Sequence, residues 1–97
     1  MNVKIKAIHF EIAERLVNFV NKKAERVAHR VPEMTDFEVQ FTLVKPEAAK
    51  NKEATVRMTV PPFGDMVANK TTDTFEEAFD GAVEALERQL EKKQGRK

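Results

Sequence analysis

The sequence predicts an α+β fold: a two-layer sandwich of order β-α-β-β-β-α, with a four-stranded sheet and two helices packed on one of its faces. Three observations predict it. Apolar and polar residues alternate in four short segments, apolar residues recur every three or four positions in two long ones, and only turn-forming stretches separate the last three alternating segments. Each alternating segment has one side to bury and one to leave wet, and both helical stripes need a partner. Packing both helices on one sheet face is the simplest arrangement that buries all of them.

Residues Asn2 to Ala7 place Val3, Ile5 and Ala7 on one side and Lys4 and Lys6 on the other, a short half-buried strand. From about Ala13 to Arg30 the apolar positions Leu16, Val17, Val20, Ala24, Val27 and Ala28 fall at helical spacing. Pro32 ends that helix, because a proline lacks the amide hydrogen and pushes the preceding residue out of helical backbone. Asp36 to Val44 is the clearest strand, with Phe37, Val39, Phe41 and Leu43 opposed to Glu38, Gln40 and Thr42. The stretch KPEAAKNK turns the chain into a hairpin partner in which Ala54, Val56, Met58 and Val60 alternate with Thr55, Arg57 and Thr59. Pro61, Pro62 and Gly64 make a second turn, after which Met66 and Ala68 alternate with Val67 and Asn69 as a fourth, shorter strand. Thr74 followed by Glu77 is a capping box, Thr-x-x-Glu, ahead of Phe75, Phe79, Ala82, Val83, Leu86 and Leu90. A second amphipathic helix therefore runs to about Lys93.

With 97 residues, 41% of them hydrophobic and 34% charged, the chain suits one small domain, expected over residues 1–94 with a frayed basic end at 95–97. No apolar run approaches the roughly 18 residues needed to cross a bilayer, and the N-terminus lacks the apolar stretch of a signal peptide. A cytoplasmic protein without a membrane partner is expected. The absence of cysteine excludes disulfides, thiolate zinc sites and thiol chemistry together, and no cofactor is expected.

The net charge of +1 conceals a segregation. From Arg15 to Arg30 five basic residues stand against Glu25 alone, and from Arg88 to Lys97 five stand against Glu91 alone. Between them Asp73 to Glu87 carries six acids and no base. Such a division produces a field that the total does not report.

On a helical wheel of the first helix Arg15, Lys22, Arg26 and Arg30 lie opposite the apolar stripe, with Lys23 at its border. Phe19 sits among these cations. It is either a ring on which a base or sugar stacks or an edge aromatic closing the core, the usual fate of a Phe at a helix shoulder. In the second helix Gly81, Ala85, Arg88 and Lys92 share a face of their own. On one reading another backbone approaches at the small residues while the cations clamp phosphates. On another, Arg88 pairs with Glu84 and the terminal lysines offset the helix dipole. On a third, the Gly81/Ala85 face is a protein-interaction module that binds no RNA.

The wet sheet face displays Glu38, Gln40, Thr42, Thr55, Arg57 and Thr59, without the aromatic platform of an RNA-recognition motif. Contacts to RNA then fall to the helices and the chain end. Catalysis finds little support. His9 and His29 are the only histidines and lack paired ligand spacing, while Glu76, Glu77, Asp80, Glu84 and Glu87 form a solvated helix face rather than a facing acid–base pair.

The stretch FEIAERLVNFVNKKAERV, with its Glu11-Ile12 lead-in, resembles bacterial ribosome hibernation-promoting factors, and FDGAVEALERQLEKK resembles them more strongly. The second stretch carries Asp80-Gly81 and the Leu86-x-Arg88-Gln89-Leu90-x-Lys92 tail. The family is also called ribosomal subunit interface proteins, protein Y or sigma-54 modulation proteins. The resemblance spans essentially the whole chain and shares its element order. It implies a non-enzymatic protein made under stress or in stationary phase, which docks on the small ribosomal subunit where messenger and transfer RNAs pass. There it is expected to contact 16S rRNA through basic residues of both helices and to inhibit translation in idle ribosomes. Lys23, Arg26, Arg88 and Lys92 match basic sites of the family pattern, and Arg15, Lys22 and Arg30 join them by geometry only.

Three positions depart from that pattern: Ala13 stands where a Ser or Thr helix cap is usual, Glu76 where a Tyr is common and Ala85 where a Lys is common. The first is expected to weaken the start of the first helix by about 1 kcal/mol, and the other two to remove a ring and a phosphate contact. The chain, ending at Lys97, resembles the short form of the family. Short members either assist a ribosome-dimerising partner protein or inactivate single ribosomes, and the free protein is expected to be a monomer.

Overall fold

The structure, a computed structural model, describes residues 1–45 and 49–95. Residues 46–48 of the first turn and Arg96 and Lys97 of the expected basic end lie outside the described residues. The elements are β1 (Asn2–Ile8), α1 (Glu14–Arg30), β2 (Asp36–Leu43), β3 (Lys52–Val60), β4 (Gly64–Thr72) and α2 (Phe75–Lys93). Their order and class are those expected from the alternation and helical stripes.

The four strands lie side by side in chain order. β1 runs parallel to β2, with Val3 opposite Phe37 and Ile5 opposite Val39, and α1 supplies the crossover that a parallel pair requires. The other pairings are antiparallel and set Phe37 against Met58, Val39 against Val56 and Met58 against Met66. The alternating apolar residues thus collect on one sheet face. Phe37, Phe41, Val56 and Met58 of that face are fully buried against Val20, Val27, Phe79, Val83 and Leu86 of the helices. α2 lies over β3 and β4, and α1 lies beside it toward β1.

Six phenylalanines join the two layers. Phe10 stacks on Phe75 with ring centroids 4.4 Å apart, and Phe75 meets Phe41 edge-on at 5.3 Å. Phe79 is the hub, with Phe19, Phe37 and Phe41 at 6.0, 6.1 and 6.2 Å. Phe19 is therefore an edge aromatic closing the core, the second of its two sequence readings.

The helix starts differ as expected. Ala13 gives α1 no side-chain cap, whereas the Thr74 hydroxyl accepts a hydrogen bond from the Glu77 amide at 3.1 Å at the start of α2. Thr74→Ala is expected to lower stability by about 1 kcal/mol. A fall in the urea midpoint at unchanged slope measures it; an unmoved midpoint contradicts it.

One expectation is corrected. β4 is not shorter than its neighbours: it spans nine residues, as β3 does. The apolar signal stops at Ala68 because the next helix-facing position is Lys70, paired across the sheet with Ala54. The Lys70 stem lies on α2, where a Cβ added to Gly81 would sit 3.1 Å from Lys70 Cγ and 3.3 Å from Cε. Lys70 as a whole remains exposed. A methylene stem can cover an apolar layer while its ammonium stays in water, so the strand continues through a residue that reads as polar.

Candidate nucleic-acid interface

The two helices run parallel, as their cross-links show. Lys23 of α1 pairs with Asp80 of α2 at 3.3 Å, and Arg30 pairs with Glu87, Nε at 2.9 Å and Nη2 at 2.5 Å from the same carboxylate oxygen. Both pairs advance seven residues on each helix, about two turns, so one flank of α2 faces α1 along the whole seam. Asp80 Oδ1 is inaccessible to solvent and makes no well-aligned hydrogen bond, which leaves the Lys23 ammonium as its charge partner.

The seven cations expected at an RNA-binding surface divide into two sets. Lys23, Arg30 and Arg88 are already partnered, the last by Glu84 one turn earlier on its own helix at 3.2 Å. Arg15, Lys22, Arg26 and Lys92 are exposed, and none of them makes an ion pair with the described residues. Arg15, Lys22 and Arg26 follow the α1 shoulder. Arg15 and Lys22 border an open groove with Phe19 and Glu76 at the N-terminal end of the seam.

Arg88 and Lys92 stand elsewhere. On α2 they are rotated by about 100° and 140° from Glu87, away from α1. On that far flank Gly81 meets Lys70, and the Gln89 amide donates to the Val67 carbonyl at 3.2 Å. The structure thus brings Arg15, Lys22, Lys23, Arg26 and Arg30 together on one side of a carboxylate ridge and leaves Arg88 and Lys92 on the other. Glu76, Asp80, Glu84 and Glu87 form the ridge. Gly81 does not offer a bare backbone to another helix, since Lys70 covers it.

The wet sheet face has its own charge network. Arg57 reaches Glu38 and, at 3.3 Å, Asp65. The hydrogen bond and charge of Glu38, then Asp65 and Asp36, raise the Arg57 pKa above its ordinary value, while desolvation opposes the shift. A raised value gives stability that persists through neutral pH and is lost only on strongly alkaline titration. This face therefore presents a neutralised guanidinium, polar groups and the exposed Lys4 and Lys6 of β1, with no aromatic ring for a base.

Residues 3–97 match the family described as Sigma 54 modulation protein / S30EA ribosomal protein. The chain belongs to that family. Ribosome hibernation promoting factors of Pseudomonas putida, one from strain KT2440, are each 32% identical to this S30EA-family chain over 93 residues, covering 95% of it and 85% of the relative. A ribosomal subunit interface protein from Coxiella burnetii shares the fold with a TM-score of 0.80 at 20% identity, covering 99% of this chain and 100% of that one. The N-terminal domain of Thermus thermophilus Protein Y does so with a TM-score of 0.78 at 23% identity, covering 95% and 98%.

Within this S30EA-family member, sequence reasoning located the cations but missed their partners across the seam. A signal for them was present. Lys23 and Arg30 are seven residues apart, as are Asp80 and Glu87, and two helices on one sheet face can align such repeats.

Proposed function

We propose that this chain is a ribosome hibernation factor. It binds 16S rRNA of the small subunit in the channel used by messenger and transfer RNAs and inhibits translation in idle ribosomes. It acts in the cytoplasm by occupancy, without catalysis or cofactor, and is monomeric when free. The family match over residues 3–97 carries this reading, and the 32% identity to hibernation promoting factors supports it.

The charge geometry supports a distinct role for each set of cations. Arg15, Lys22, Arg26 and Lys92 meet phosphates directly, because no carboxylate must leave first. Lys23, Arg30 and Arg88 engage by exchanging a carboxylate for a phosphate. That exchange is least costly at Arg88, whose pair with Glu84 is the most exposed of the three, since exposed ion pairs contribute only about 0–1 kcal/mol. With Ala85 in place of a cation, the far flank of α2 depends on Arg88 and Lys92. The rings stay in the core, so recognition proceeds through phosphates and the shape of the RNA rather than base stacking.

Sedimentation tests the proposal. Purified protein mixed with ribosomes is expected to travel with the small subunit and with whole ribosomes in a sucrose gradient and to depress translation of a reporter message. Protein left at the top of the gradient at physiological salt, with translation unchanged, refutes it. A heavier ribosome-pair peak that forms only with a second protein added assigns the chain to partner-assisted pairing; its absence assigns it to inactivating single ribosomes.

A further inference from the structure

We infer that Asp80, Glu84 and Glu87 are specificity-determining residues: they occupy Lys23, Arg88 and Arg30 in the free protein and hold back its binding to RNA that lacks the geometry of the intended site. The inference rests on the RNA-binding function proposed above.

Three of the seven cations are paired, each with an acid of α2. Stability gives the most exposed of these acids, Glu84, little purpose, because an ion pair as exposed as Arg88–Glu84 adds little to folding. Their effect on a polyanion is larger. Of the seven, a flexible RNA strand meets Arg15, Lys22, Arg26 and Lys92 unpaired, and the carboxylate ridge separates the three on α1 from the one on the far flank of α2. To touch both sets the strand must cross Asp80, Glu84 and Glu87, whose charge repels it. A folded RNA that holds phosphates on both sides of the ridge avoids the crossing. Discrimination here comes from a penalty placed on the wrong ligand.

Salt dependence gives the test a number. Binding to single strands falls with salt at a log–log slope of about −0.7 per phosphate neutralised, so freeing the three paired cations predicts a slope steeper by about 2. Binding of labelled oligo(U) is to be measured by anisotropy across a salt series for three proteins. They are the natural chain, the triple variant Asp80→Asn/Glu84→Gln/Glu87→Gln, and Glu84→Gln alone, with ribosome cosedimentation and thermal melting run alongside. The triple variant is expected to bind oligo(U) about tenfold tighter or more and with the steeper slope, while its preference for ribosomes over oligo(U) falls. Glu84→Gln is expected to steepen the slope by about 0.7. Arg88 and Glu84 have side-chain exposures of 70% and 69%, so this single variant decides the matter even if the triple one melts early. Equal oligo(U) affinity and slope in all three, with the natural chain cosedimenting, overturns the inference and leaves the hibernation function standing. Failure of the natural chain to cosediment overturns that function and the inference with it.

Discussion

Reversing the charge at Arg26, Arg88 and Lys92 together is expected to abolish cosedimentation with ribosomes while the domain stays folded. All three side chains are exposed, one on the α1 shoulder and two on the far flank of α2. On the proposed function each reversal is expected to remove a charge-assisted contact worth about 1.5–3 kcal/mol and install a repulsion, so three together are expected to lower affinity about a thousandfold or more. The folded state loses far less. Glutamate is a good helix former, and exposed substitutions usually fall within about 0.5 kcal/mol. Glutamate at 92 also opposes the helix dipole, which adds a cost of about 0.3–1 kcal/mol. A pellet containing the triple variant at physiological salt refutes the assignment of these residues. A collapse of thermal unfolding in that variant contradicts their placement on the surface.

Phe79→Ala is expected to have the largest effect on stability. Its ring is fully buried and meets Phe19 of α1, Phe37 and Phe41 of the sheet, so one side chain ties all three packed elements together. Truncating a buried phenylalanine costs about 3–5 kcal/mol. A domain of this size has a total stability of about 5–15 kcal/mol, so the variant is left marginal. Each kcal/mol corresponds to about 4–8 °C in melting temperature, which places the expected fall at roughly 15–30 °C. A loss below about 1 kcal/mol by circular dichroism contradicts the central role of this ring. Asp80 is the next residue, so loosening this anchor also releases the seam that fixes Lys23.

Much of the architecture was legible because burial and periodicity agree. The alternation at Phe37, Val39 and Phe41 and the stripe of Leu16, Val20, Ala24 and Val27 each have a single buried side, and the structure buries it. The Thr74 cap was legible from two residues. The full length of β4 was not, because Lys70 hides an inward position behind a charged side chain whose stem does the packing. β1 also carried no mark of its parallel pairing with β2, since a half-buried alternating segment suits either orientation. At the site, composition by segment exposed two basic blocks and an acidic one. It did not show that Asp80 and Glu87 lean toward α1 while Arg88 and Lys92 turn away. That depends on how α2 is rotated on the sheet, which Phe79, Leu86 and the Gly81–Lys70 contact determine together.

β4 is the outermost strand on its side, and among the described residues no further strand meets the backbone groups of its rim. A strand arriving from another molecule would have to pull Gln89 off the Val67 carbonyl and trap the Lys70 ammonium beneath the extended layer. Both steps oppose growth of the sheet. The lysine that blurs the strand in the sequence thereby makes the rim a poor template for polymerisation.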